Sequence, residues 1–145
     1  MSPFNDIDIS EILPQREPFV FVDRLIHYDE RETVTAFTVP VEHLLVEDGC
    51  LTAPGILENM AQSSAARIGY LCKFVLHVPV RIGYIGAIKK FRVHRLPAVG
   101  ETLTTTIIFR EDVFGISLVD AVMRVGEDLI AEASLKTTLG EKEAE

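Results

Sequence analysis

Glu58, Asn59 and Gln62 sit together in LTAPGILENMAQSSAA, residues 51–66, a stretch that otherwise reads as a buried helix. Glu58 and Gln62 are four residues apart, one helical turn, and share a face. A carboxyl shut away from water keeps its proton nearer neutrality and can then give it to a leaving group. Gln62 could orient that acid or a water, or simply be a satisfied polar group at a subunit seam. The structural alternative for Glu58 is an ion pair with Arg67 or Arg16. Upstream, TAPGI begins the helix, and the first-turn N–H groups of a helix lack internal acceptors. Ala53, Gly55 and Ile56 could therefore offer an N–H to a carbonyl oxygen at the positive end of the helix dipole. Pro54 cannot, having no N–H. The competing use of these groups is capping by Thr52 or water.

The elements that must position these residues follow from periodicity. Ser10 reads as the cap of a short turn ended by Pro14 and Pro18. FVFVDRLIHYDE, residues 19–30, is dense in aromatic and β-branched residues and predicts a strand. TVTAFTVPV, residues 33–41, alternates and predicts a second, paired with the first through the polar residues 29–32. EHLLVEDGC is irregular, with a turn at Asp48-Gly49. The helix runs over about residues 52–72, with Thr52 as N-cap and Pro54 tolerated in the first turn. Four more strands follow, at residues 81–93, 101–114, 116–126 and 129–139, separated at Pro97 with Gly100, at Gly115, and at Gly126-Glu127-Asp128. The tail GEKEAE is expected to fray. Antiparallel strands with one apolar helix predict an α+β fold, a curved antiparallel sheet wrapped around one long central helix. Ile56, Leu57, Met60, Ala61, Ala65, Ala66, Ile68 and Leu71 make that helix apolar on most faces. Its small residues, Ala61, Ser63, Ser64, Ala65, Ala66 and Gly69, allow close approach of backbone or ligand.

The chain has 145 residues, 48% hydrophobic and 25% charged, which suits one globular domain over 1–145 with an ordered core over about 10–139. A net charge of −8 argues against nucleic acid as the partner. No window is apolar for the roughly 20 residues that a spanning helix needs, so no membrane is expected. The acidic start MSPFNDIDIS lacks the order of a signal peptide. Cys50 and Cys72 fall in different elements, so no disulfide is indicated and a cytoplasmic location is expected. KKFRVHR, residues 89–95, gathers basic residues on this acidic chain. It is either the solvent face of a strand or a docking patch for an acidic partner.

With the elements placed, three stretches resemble the bacterial β-hydroxyacyl-(acyl-carrier-protein) dehydratases. ILPQREPFVFVDRL is similar to their opening Leu-Pro-His-Arg-x-Pro-Phe-Leu-hydrophobic-Val-Asp-Arg. ENMAQ is similar to their Glu-x-hydrophobic-Ala-Gln. YIGAIKKFRVHRLPAVGETL is similar to Val-Gly-Ile-x-Lys-x-Arg-Phe followed by Pro-Val-hydrophobic-Pro-Gly-Asp-x-Leu. The likeness spans about residues 12–137. It implies a hot-dog fold and a dimer whose sheets join, with a thioester substrate delivered on the phosphopantetheine arm of an acyl carrier protein. It also implies elimination by a histidine from one subunit and the helix glutamate, here Glu58, from the other. An N–H near the helix start would hold the thioester carbonyl. No cofactor and no metal are implied. Lys89, Lys90, Arg92 and Arg95 become the docking residues for the acidic carrier.

Loss of water from a 3-hydroxyacyl thioester needs a base at the carbon beside the carbonyl, an acid for the leaving hydroxyl, and a donor for the enolate-like oxygen. The family reads Gly-His-Phe-Pro before the helix. Here that position falls on Asp48, Gly49 or Cys50, and the loop to Glu58 is shorter. His43 is the nearest histidine and the substitute base, with an ordinary exposed histidine as the alternative; Asp48 and Cys50 also remain candidates. The short Asp-Gly-x-Leu loop resembles a divergent branch linked to aryl-polyene and related pigment-lipid pathways. A dehydratase in fatty-acid or polyene-type lipid biosynthesis is thus expected. The alternatives are a catalytically impaired hot-dog subunit that partners an active paralogue in a heterodimer, or an acyl thioesterase.

Overall fold

The computed structural model describes residues 4–143. In chain order its elements are a single 3₁₀ turn (Ile9–Glu11), β1 (Arg24–Tyr28), β2 (Glu32–Thr38), β3 (Val46–Glu47), β4 (Cys50–Leu51), α1 (Ala53–Tyr70), a π-helical turn (Leu71–Val75), β5 (Arg81–Val93), β6 (Thr102–Val113), β7 (Ile116–Val125) and β8 (Asp128–Glu143). β3 and β4 pair with each other. The other strands form one antiparallel six-stranded sheet in the order β1-β2-β6-β7-β8-β5. The expected α+β architecture is therefore present, with α1 laid on one face of a large sheet.

Tight turns set the registers. Asp48 and Gly49 have φ 52° and 76°, and Phe114 and Gly115 have φ 51° and 81°. Two left-handed central residues match the twist of the flanking strands in a two-residue hairpin. Alternation along β6 then sends Leu103, Thr105 and Ile107 inward, all fully buried. Ile56 and Met60 of α1 meet them, together with Ala121 and Met123 of β7. Each of the leucine, isoleucine and methionine side chains contributes about 1.5–3 kcal/mol by leaving water. A second cluster, Ile12, Leu13, Val22, Leu25 and Ala66, fastens the N-terminal segment to the other side of the helix. Gly69 is required there, because a Cβ would overlap the Ile12 carbonyl.

Several boundaries differ from expectation. The first strand starts at Arg24, because the backbone of residues 19–21 bonds to side chains of α1 instead of to a strand. Asp8, not Ser10, caps the first turn, accepting from the Ser10 amide and hydroxyl. Thr52 stands at the N-cap position of α1 but makes no cap; its hydroxyl donates to the Leu45 carbonyl. The helix ends at Tyr70 and passes into the π turn. β8 runs to Glu143, so the tail is strand that far instead of frayed; Ala144 and Glu145 lie outside the described residues. Among the described residues no helix is long and apolar enough to cross a membrane, and both cysteines are free.

Candidate active site

The inner turns of α1 carry polar side chains that are buried nonetheless: Asn59, Gln62 and Ser63 are at most 1% exposed. A buried polar group without a partner costs about 1–3 kcal/mol, so each must find one. Asn59 donates to the Phe21 carbonyl at 2.6 Å and accepts from the Thr105 hydroxyl at 2.7 Å. Gln62 accepts from the Phe21 amide and donates to the Phe19 carbonyl, both at 2.7 Å. Ser63 donates to the Asn59 carbonyl and so receives the Thr35 hydroxyl at 2.7 Å. Two helix carboxamides thus take the place of a neighbouring strand for residues 19–21.

Glu58 is attached to this frame. Its Oε1 accepts from Gln62 Nε2 at 3.0 Å, and Oε2 has no partner among the described residues. The carboxylate is half-buried. Neither Arg16 nor Arg67 pairs with it: Arg16 donates to the carbonyls of Leu13 and Gln15, and Arg67 lies over the Phe109 ring. One turn earlier the helix start offers two amides. Those of Ala53 and Gly55 have no backbone acceptor among the described residues. Ile56 does not join them, contrary to expectation, because its N–H makes the first helical bond, to the Thr52 carbonyl at 2.9 Å. Gly55 is itself constrained, since a Cβ would overlap the buried Leu51 side chain.

His43 is not an ordinary exposed histidine. It is half-buried edge-on to Phe21 and Phe37, with ring centroids 4.3 and 5.9 Å away. Nε2 lies 3.2 Å from the Val20 carbonyl, which can only accept, so Nε2 is the protonated nitrogen. Nδ1 is enclosed and has no partner among the described residues. His43 and Glu58 do not touch within the chain, yet both rest on the segment 19–21, one through Val20 and Phe21, the other through Gln62. Asp48 and Cys50 lie on the β3–β4 hairpin, and nothing ties either to Glu58.

The family model for ApeP-like dehydratases matches residues 7–145. The chain belongs to the ApeP-like dehydratases. It is 30% identical over 138 residues to the 3-hydroxyacyl-[acyl-carrier-protein] dehydratase FabZ of Pasteurella multocida, covering 88% of this chain and 86% of that one. It is 32% identical over 149 residues to the corresponding FabZ of Desulforamulus reducens, covering 92% and 96%. Its fold is similar to the dehydratase heterocomplex ApeI:P from Xenorhabdus doucetiae, with a TM-score of 0.84 at 17% identity over 94% and 93% of the two chains. The fold is the hot-dog fold.

On this ApeP-like dehydratase the basic stretch divides in two. Arg95 is bound by the chain's own carboxylates: Glu101 at 2.7 and 3.0 Å and Asp128 at 3.5 Å. That fork fixes the β5–β6 connection, and it holds the Glu101 carboxyl down to about 2, with the Ala98 amide as a second donor. Arg95 is therefore a brace, not a free docking residue. Lys89, Lys90 and Arg92 are exposed and make no ion pair among the described residues. Lys90 has φ 56° at a bulge between Lys89 and Arg92 that inserts one residue against β8. Sequence reasoning missed the clamp role of Asn59. Its one signal was a carboxamide at a helix position flanked by Ile56, Met60 and other core residues.

Proposed function

We propose that this chain is a hydro-lyase for 3-hydroxyacyl thioesters carried by an acyl carrier protein, with Glu58 as the acid for the leaving hydroxyl. The observation that carries the reading is the carboxylate of Glu58, held at one oxygen by Gln62 and open at the other, a turn beyond unbonded helix-start amides. In this reading Gly55 or Ala53 receives the thioester carbonyl oxygen as it gains charge. His43 is the proposed base, through the unpartnered Nδ1. Gln62 positions Glu58. Lys89, Lys90 and Arg92 receive the acidic carrier, their attraction falling with salt. The molecule works in the cytoplasm as a dimer or larger hot-dog oligomer, an assignment supported by the edge position of β5 and the exposed Tyr84 and Ile88 along it.

The test is turnover of carrier-linked 3-hydroxyacyl chains of several lengths, followed by the mass of the enoyl product. Glu58→Gln is expected to lower kcat by about 10²–10⁴ while leaving the fold intact. Absence of turnover at every length, alone and with a second hot-dog chain, would discard the enzyme reading.

A second reading has this chain as the impaired half of a heterodimer whose paralogue supplies the histidine. It is favoured by Asp48, Gly49 or Cys50 standing where the family carries its histidine and by the likeness to a chain of a heterocomplex. Activity that appears only on co-expression and survives Glu58→Gln would support it. Release of free thiol from simple acyl thioesters would point instead to a thioesterase.

A further inference from the structure

The β6–β7 hairpin ends in a residue that neither its backbone nor its surroundings favour. Phe114 is fully exposed, and its φ of 51° lies in the left-handed region. With Gly115 at φ 81° it makes a two-residue turn. Asparagine, aspartate or glycine fills the first position of such a turn at least cost, and a bulky side chain is rare there. Val113 and Ile116 beside it are exposed as well. An aromatic ring held in water, at a backbone position that works against it, points to a use outside its own chain.

The same hairpin borders a receptor for such a ring. A cavity of about 390 Å³ is walled by Leu71, Leu76, Phe109, Gly115 and Leu139. Leu76 and Leu139 leave apolar surface exposed at it. Arg67 and Arg81 supply its cations and Asp112 its one carboxylate. The Arg67 guanidinium lies 4.6 Å from the Phe109 ring centroid, so it already stacks on one aromatic face. A planar guanidinium attracts the negative face of a ring, and it has two faces to offer. The hairpin also brings an acid to this meeting: Glu111 is exposed and makes no ion pair among the described residues.

We propose that the end of the β6–β7 hairpin is an interface with a second copy of this chain, in which Phe114 of each copy enters the other's cavity and covers Arg67 opposite Phe109. The chain itself carries both parts of the contact, an aromatic knob and an apolar, cationic socket, adjoining at Phe114 and Gly115. A twofold axis through the hairpin end therefore seats both knobs at once and closes the pair instead of propagating a fibre. β8 separates this hairpin from the β5 edge, so the surface is distinct from any pairing of that edge. It is also independent of the chemistry at Glu58. Where β5 edges pair as well, the hairpin contact doubles the assembly.

The experiment measures the mass of the full chain in solution by light scattering, for the native chain and for Phe114→Asn and Leu139→Glu. Asparagine suits the left-handed position, so the first variant keeps its turn. Leu139 is 45% exposed, so the second leaves the core in place; circular dichroism checks both. Each variant is expected to halve the native mass. A second measurement uses the native chain alone, with methyl-labelled copies mixed with copies labelled only on phenylalanine rings. Nuclear Overhauser contacts should join the Phe114 ring of one copy to the Leu76 and Leu139 methyls of the other. A native mass of one chain, a mass unchanged in either folded variant, or a Phe114 ring that meets no methyl of the other copy or meets different ones would overturn the inference. Should Leu139→Glu fail to fold, the contacts in the native chain decide.

Discussion

The two stretches of α1, before and after the step from Ser63 to Ser64, bury polar groups in opposite ways. From Ala53 to Ser63, the buried Asn59, Gln62 and Ser63 are all partnered, by residues 19–21, Thr35 and Thr105. From Ser64 to Tyr70, the Ser64 hydroxyl has no partner among the described residues, and Arg67 lies over the Phe109 ring with Tyr28 and Asp112 acting on its charge. A fully satisfied polar network rigidifies what it touches, while an unpaired buried polar group is costly. The first stretch holds Glu58 still. The second leaves the Ser64 hydroxyl without a hydrogen bond among the described residues.

Stability measurements can break this contrast, beginning with the largest effect. Asn59→Leu strands the Phe21 carbonyl and the Thr105 hydroxyl together, and should cost about 3 kcal/mol or more in urea unfolding. A loss below about 1 kcal/mol would mean that the clamp is ornamental. Gln62→Met conserves size but abandons the Phe21 amide and the Phe19 carbonyl. The expected loss is about 2 kcal/mol, with kcat falling more than KM rises, because Glu58 loses its orienting donor. Arg67→Met removes a cation–π contact and also the burden of a half-desolvated charge. Its net effect on unfolding should stay under about 1 kcal/mol, and a larger loss would make Arg67 a structural element and erase the difference between the two stretches.

The smallest effect lies off the helix and sets a baseline. The Glu101 carboxyl is held at about 2 in the folded chain by Arg95 and the Ala98 amide, against roughly 4.3 when unfolded. A lowered folded pKa contributes stability that is complete above the unfolded value and is lost as pH falls toward 2. Asp29, also held at about 2 by His27 and the amides of Glu32 and Arg31, acts in the same window. Glu101→Gln should therefore flatten part of the acid-side slope of thermal stability and leave pH 7 to 8 behaviour unchanged in shape. With the Glu101 side chain 29% exposed, solvent screening keeps the effect below about 1 kcal/mol.

How much of this was legible depended on how local the cause was. β5 to β8 were readable because alternation and glycine turns lie within each strand's own residues. The one-turn spacing of Glu58 and Gln62 was readable for the same reason. The segment at residues 19–21 was misread as strand because its aromatic and β-branched residues suggest pairing, whereas its backbone bonds to side chains of α1 and to His43 instead. Ile56 was misassigned because, with Thr52 at the N-cap as expected, it is the first residue whose N–H has an intrahelical acceptor, the Thr52 carbonyl. Arg95 was read as a free charge because its partners Glu101 and Asp128 come from other elements. Arg67 entered only as a counter-charge for Glu58, since its contact with Phe109 exists only once β6 is folded beneath the helix.

The bond from the Phe21 amide to Gln62 has a practical consequence. Amide protons in a sheet exchange with solvent at a rate set by the opening of that sheet. The Phe21 proton is held by a side chain of the helix, so its exchange is governed by whether Gln62 is in place. Phe21 is thus a single-residue spectroscopic reporter on the Glu58 support, readable without substrate and independent of the strands on either side.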